Sequence, residues 1–266
     1  MLSQSDDEDE EFQEAKWLGK DGIIFMIDAT KPMFSEDEIG ESAFRMCLKG
    51  CDAAMQHKIM FSSSDLMSIV LFGTEASKND NNLNHITVLQ ELQRPDASTF
   101  KQLRKIHESK NYDHLDSKCG SNEDYLFADL LWLGHLMFGK ITSKLATSRI
   151  ILLTCSEILG KNDPQSKRQA VTRAKDLRGD SITFEVIPCS VDYQSSDFLK
   201  TLMNIVEGSS GTWSLPASHC ISSVADIPKV IEKIAASKDQ RSRCLGHIPF
   251  KIGEGLKINV EVYNLV

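Results

Sequence analysis

Asp28 and Thr30 are the residues of this 266-residue chain whose types and spacing first suggest chemistry. They lie in DGIIFMIDATKPM, Asp21–Met33, where the apolar run Gly22–Ile27 gives way to polar residues. A carboxylate and a hydroxyl two residues apart at the end of a buried strand can both offer oxygen to a hard divalent cation. The next position at that spacing is Pro32, which has no side-chain oxygen. Cys155, at the end of the apolar stretch RIILLTC, offers soft sulfur, which is unsuited to magnesium. Asp124 stands at the head of an apolar helix. Two oxygen ligands do not hold such an ion. The expectation is therefore a degenerate site at Asp28 and Thr30, with no metal, in which Asp28 ends a strand and caps backbone N–H groups.

Other chemistries find less support. No G-x-G-x-x-G follows the first strand, so no dinucleotide fingerprint is present. Gly134–Ile141 (GHLMFGKI) approaches a phosphate loop, but Ile141 stands where a magnesium-binding hydroxyl belongs, and the segment has the pattern of an apolar helix. Gly208–Gly211 (GSSG) is not a nucleophile elbow. No His-Glu-x-x-His spacing occurs. Cys47 and Cys51 sit four apart in a helical pattern and are expected to be small core residues. No cofactor is expected.

These residues need elements to position them. Gly22–Ile27, Asp65–Phe72, Ile86–Leu92, Arg149–Cys155 and Ile182–Pro188 read as strands. Helical spacing covers Glu36–Met60, Asp96 (as N-cap) to His107, Glu123–Ile141, Pro164–Leu177 with Gly179 as a C-cap, Ser195–Glu207 and Val224–Ala236. Strand–helix alternation predicts an α/β fold, a parallel sheet with helices on both faces and sites beyond the carboxyl ends of the strands. From Lys238 the texture changes. Ile248, Phe250 and Ile252, then Leu256, Ile258, Val260 and Val262, alternate with polar residues around Gly253-Glu254-Gly255, which predicts an antiparallel hairpin. Ending on such a strand, the chain is expected to continue into a second, β-rich domain.

With 41% hydrophobic residues the chain can bury a core. No amino-terminal apolar signal is visible, and no apolar run approaches the ~20 residues of a membrane helix. A soluble intracellular protein is the default expectation, with no membrane partner. The net charge of −8 is uneven. Met1–Glu14 holds seven acids and no base; without them, 31 acids face 30 bases. An acidic, disordered tail over 1–17 therefore precedes a nearly neutral body, which lacks the basic excess of a stand-alone nucleic-acid binder.

The run IIFMIDAT and the order of strands resemble the von Willebrand factor A-like domains, a resemblance that implies a metal site with Asp28 and Thr30 as ligands, a hydroxyl where Pro32 stands, a threonine near Asp124 and an acid where Cys155 stands. More specifically, IIFMIDATKPMF, IVLFGTE, VLQEL, DYLFADLLW, RIILLT, TRAKDLR and VEVYNLV resemble the amino-terminal half of the smaller subunit of the Ku heterodimer. That resemblance implies a mainly parallel von Willebrand A-like domain over 18–238, followed over 239–266 by the first antiparallel strands of a β-barrel. It implies a larger Ku subunit as partner, duplex DNA ends bound without sequence preference in non-homologous end joining, and a nuclear location. Lys238, Arg241, Arg243, Lys251 and Lys257 lie where the family approaches the DNA backbone, a contact to phosphates and not to bases. The helix Pro164–Leu177 becomes a candidate docking face for other end-joining proteins. Lys16 matches the place of a Schiff-base lysine credited with abasic-site lyase activity, which requires an unprotonated amine. The alternatives are a metal-dependent ligand-binding A domain and a lyase acting through Lys16.

Overall fold

A strand with no polar position must be covered on both faces. Gly22–Ile27 is such a run, and β1 (Asp21–Asp28) is buried along its whole length. The computed structural model describes residues 20–37, 40–109, 124–209, 211 and 213–237, together with the backbone of the strands Cys244–Gly253 and Leu256–Tyr263. β2 (Leu66–Phe72), β3 (Ile86–Gln93), β4 (Thr147–Thr154) and β5 (Thr183–Pro188) complete a sheet of order β3-β2-β1-β4-β5. β1 pairs in parallel with both β2 and β4, and β4 in parallel with β5.

The period of two divides β1 between two cores. Ile23, Phe25 and Ile27 face α1 (Ala43–Phe61), α2 (Ala97–Glu108) and α6 (Ile227–Ala236). Ile24 and Met26 face α3 (Phe127–Gly139), α4 (Pro164–Gly179) and α5 (Asp197–Glu207). Gly134 is a packing residue of α3: a Cβ there would stand 2.6 Å from Ile150 Cδ1. β6 (Cys244–Gly253) and β7 (Leu256–Tyr263) form a separate antiparallel pair.

Several elements differ from the sequence expectation. β3 runs antiparallel to β2, at the sheet edge. Residues 73–85 return the chain through turns, with Asn82 and His85 at positive φ, instead of through the long crossover that a parallel strand needs. α1 starts at Ala43, where the Ser42 side chain accepts from the Arg45 N–H, and a short 3-10 turn, Lys31–Phe34, precedes it. Described helical residues of α3 begin at Phe127 and end at Gly139. Gly179 is the last residue of α4, not its cap; Ser181 takes the positive φ of 60° that turns the chain into β5. Residues 224–226 form a 3-10 turn ahead of α6. Asp96 does cap α2, accepting from the Thr99 N–H at 2.7 Å.

The amino-terminal edge of the sheet is held by four buried charges. Asp21, Lys58, Asp65 and Arg149 are 1–3% exposed. Lys58 Nζ donates to Asp65 Oδ2 at 2.8 Å and lies 3.5 Å from Asp21 Oδ2. Arg149 donates to Asp21 Oδ2 at 2.6 Å and to the Ile234 carbonyl at 2.9 Å. The Asp21 N–H donates to Asp65 Oδ1 at 3.0 Å. The set joins β1, β4, the end of α1, the turn into β2 and the end of α6. Removing one partner leaves an opposite charge dry and uncompensated, which costs about 3–5 kcal/mol. Lys58→Met and Arg149→Met should each lower unfolding free energy by about that amount in urea titration, whereas Lys49→Met, at an exposed pair with Glu41, should change it by less than about 1 kcal/mol.

Candidate functional site

Sites in open α/β sheets form beyond the carboxyl ends of the strands, where the strand order reverses. Here that point lies between β1 and β4, and their last residues, Asp28 and Thr154, meet there. Thr154 Oγ1 donates to Asp28 Oδ2 at 2.5 Å, and the Thr30 N–H donates to Asp28 Oδ1 at 2.8 Å. Thr154 Oγ1 in turn accepts from the Ser156 N–H at 2.9 Å. Asp28 is fully buried and Thr30 nearly so. Pro32 lies in the 3-10 turn after Thr30.

The other wall of this point is sulfur. Cys155 donates to the Cys189 carbonyl at 3.2 Å. Cys47, from α1, lies 3.5 Å from Cys189, sulfur to sulfur. Burial pushes the thiols of Cys47, Cys51, Cys155 and Cys189 up, and nearby acids or thiols add to the effect for each. These groups are neutral thiols at physiological pH, poor both as nucleophiles and as metal ligands. Cys47 and Cys51 are both core residues, and Cys47 meets Cys189.

The fold implies a divalent-cation site at this place, and the residues present do not fit one. Both Asp28 oxygens are engaged by protein donors, Pro32 brings no oxygen, and Cys155 replaces an acid. Among the described residues, no group of three or more His, Cys, Asp or Glu side chains could hold a metal. Asp124 lies ahead of α3, before its N-cap Leu126. The hydroxyl that reaches Asp28 is Thr154, which sequence reasoning passed over. Its signal was available, since it is the last residue of RIILLT, the strand expected beside β1.

The remaining candidates fall elsewhere. Lys16, Lys238, Arg241 and Arg243 lie outside the described residues. Lys251 and Lys257 lie on β6 and β7 and are register partners across the hairpin. The candidate docking helix is α4. Ala170, Ala174 and Leu177 are buried, while Gln165, Arg168, Gln169, Thr172 and Lys175 are exposed. The near phosphate loop, Gly134–Ile141, lies mostly within α3, where it offers no open loop of backbone N–H groups.

The architecture is that of a von Willebrand factor A-like domain. The crystal structure of the SpRpn10 VWA domain matches it with a TM-score of 0.50, over 79% of this chain and 93% of that one, at 15% sequence identity. Within that class, the model of the Ku70/Ku80 N-terminal alpha/beta domain matches residues 22–239, and the chain belongs to that family. A protein of Mus musculus named X-ray repair cross-complementing protein 6 is 28% identical over 258 residues, 95% of this chain and 41% of its own length. ATP-dependent DNA helicase 2 subunit 1 of Rhipicephalus appendiculatus is 30% identical over 271 residues, all of this chain and 43% of its own. ATP-dependent DNA helicase 2 subunit KU70 of Oryza sativa is 25% identical over 98% of this chain and 44% of its own length. The chain thus spans less than half the length of these relatives.

Asp28→Ala leaves the Thr30 N–H and the Thr154 hydroxyl without their acceptor in a dry site. It should cost about 2–4 kcal/mol of stability. Millimolar Mg²⁺ should leave the Tm of the parent and of the variant unchanged. A Tm that rises with Mg²⁺ in the parent alone would reveal an oxygen cage at Asp28.

Proposed function

We propose that the chain is the amino-terminal part of the smaller Ku subunit, which acts with the larger one at ends of duplex DNA in non-homologous end joining, in the nucleus. The observation that carries this is the family match across residues 22–239. The names of relatives, subunit 1 and KU70, favour the smaller subunit. In this proposal the A-like domain supports the heterodimer and docks other proteins. The DNA backbone is met mainly by the β-rich part, through Lys238, Arg241, Arg243, Lys251 and Lys257.

The hairpin register supports phosphate contact. Lys251 and Lys257 are register partners across β6 and β7. Like charges directly opposite one another destabilise a strand pair, and an anionic backbone beside them removes that cost. The test is retention on linear duplex by the full-length protein with its larger partner, against closed circular competitor. Retention should need the partner and resist circles. Lys251→Gln and Lys257→Gln should each weaken it alike on every sequence and lower the slope of log K against log salt by about 0.9. Competition by circles equal to that by linear DNA would overturn end binding.

α4 supports docking through charge. Arg168 and Lys175 are exposed on its outer face. Asp176 is taken up by Arg173 at 3.2 Å, whose guanidinium also lies over the Trp132 ring at 4.0 Å. The free face is cationic and suits an acidic partner surface. Arg168→Glu with Lys175→Glu should leave Tm and duplex retention unchanged and reduce joining of linear plasmid ends. Unchanged joining would remove α4 from the proposal.

A further inference from the structure

The thiols at the carboxyl edge of the sheet include two in direct contact. Cys47 Sγ lies 3.5 Å from Cys189 Sγ, and the two residues are 142 positions apart in the chain. Both are buried. Cys47 stands near the start of α1, and Cys189 follows Pro188, the last residue of β5. A disulfide needs an S–S distance of about 2.05 Å, so these sulfurs must close by about 1.5 Å. Cys189 lies in the bend after β5, one residue past the ladder with β4. Its sulfur also touches the Ile187 carbonyl, at 3.6 Å, which is a weak hold. The movement needed is therefore a small one at a strand end and not a repacking of the helix.

The surroundings decide which chemistry is open to the pair. Among the described residues no set of three His, Cys, Asp or Glu side chains could hold a metal, so the pair is not part of a metal site. What two touching thiols can do is give up their hydrogens to an oxidant. The path inward runs past Cys155, which is half-buried and donates to the Cys189 carbonyl at 3.2 Å. Hydrogen peroxide is little larger than water and can enter there, whereas a bulky disulfide such as oxidised glutathione cannot. The Cys189 N–H donates to the Thr154 carbonyl at 2.9 Å. A covalent bond at Cys189 would thus couple α1 to the ends of both β4 and β5.

We propose that Cys47 and Cys189 are a redox pair that hydrogen peroxide closes to a reversible disulfide, stapling α1 to the end of β5. In the first step one thiol gives up its proton and its sulfur attacks a peroxide oxygen. The O–O bond breaks, water leaves and a sulfenic acid remains. In the second step the other sulfur attacks the sulfenic sulfur. The S–S bond forms, the S–O bond breaks and a second water leaves. The two sulfurs are oxidised and the peroxide is reduced to water. Burial pushes both thiols up, which makes the first step slow, so the pair responds to sustained peroxide and not to brief pulses. The inference stands independently of DNA end binding.

The test treats the full chain with hydrogen peroxide under native conditions. Free thiols are then blocked with N-ethylmaleimide in denaturant, and the peptides are mapped by mass spectrometry without reduction. Peptides joined through Cys47 and Cys189 are expected. Tm should rise by about 5–10 °C, because the link closes a long loop of the unfolded chain, and dithiothreitol should reverse the rise. Cys47→Ala should abolish both changes, whereas Cys51→Ala, one helical turn away, should keep both. No joined peptide, a link that forms only when urea is present during oxidation, or a link that leaves Tm unmoved or lowered would each overturn the proposal. Joining of Cys189 to Cys155 in place of Cys47 would overturn it as well.

Discussion

The four charges at the amino-terminal edge are the constraint on which the rest depends. β1 is the centre of the sheet, and its two ends each carry an aspartate. Asp21 neutralises Arg149 and Lys58 at one end. Asp28 accepts a hydroxyl and an amide at the other. A buried ion pair rarely adds much over a hydrophobic substitute, but one that is broken is expensive. Its effect is therefore to penalise every arrangement in which β1, β2, β4, α1 and α6 are out of place. With that edge fixed, the parallel register carries the alignment to the far edge, and Asp28 arrives beside Thr154.

What occupies the far edge then follows from chemistry. A hard-cation cage needs several oxygens with lone pairs to spare. This edge has one carboxylate whose oxygens are engaged, a proline and thiols kept neutral by burial. The geometry of an A-like domain is kept while the groups that would make it a metal site are not. The hydrogen bonds that occupy Asp28 and Cys155 also tie the ends of β1, β4 and β5 together.

Much of this was legible in the sequence, for physical reasons that differ by element. β1 and β4 were plain because burial on both faces leaves a long apolar run, and β2 and β5 because their apolar runs are broken only by Ser68 and by Glu185. Asp96 was plain because a cap acts locally, within three residues. The direction of β3 was not, since a strand pattern has no sense; only the turns of residues 73–85 decide it. The start of α1 was misplaced because apolar spacing continues through residues of the 3-10 turn and the loop behind it. The charge set was invisible. Asp21 and Arg149 are far apart in the chain, and Lys58, read on a helix, looks like any solvated lysine. The Cys47–Cys189 contact was hidden in the same way. The proposal of end binding rests on resemblance and family match, since no local pattern of residues encodes it.

The contrast between the sheet and the hairpin suggests where function remains. Within the A-like domain, the buried charges of the amino-terminal edge are matched to one another, and the half-buried Arg173 meets Asp176 on its own helix and Trp132 on α3. Field that is cancelled internally cannot recruit anything. Across β6 and β7, Lys251 is the register partner of Lys257. Under the proposed function, a phosphate backbone would meet these lysines without reading sequence. The outer face of α4 is a weaker case of the same kind, with Arg168 and Lys175 exposed and its one outward acid already paired. Among the described residues the exposed charge of α4 is cationic, while the carboxyl edge of the sheet is closed by the hydrogen bonds of Asp28 and is a structural joint.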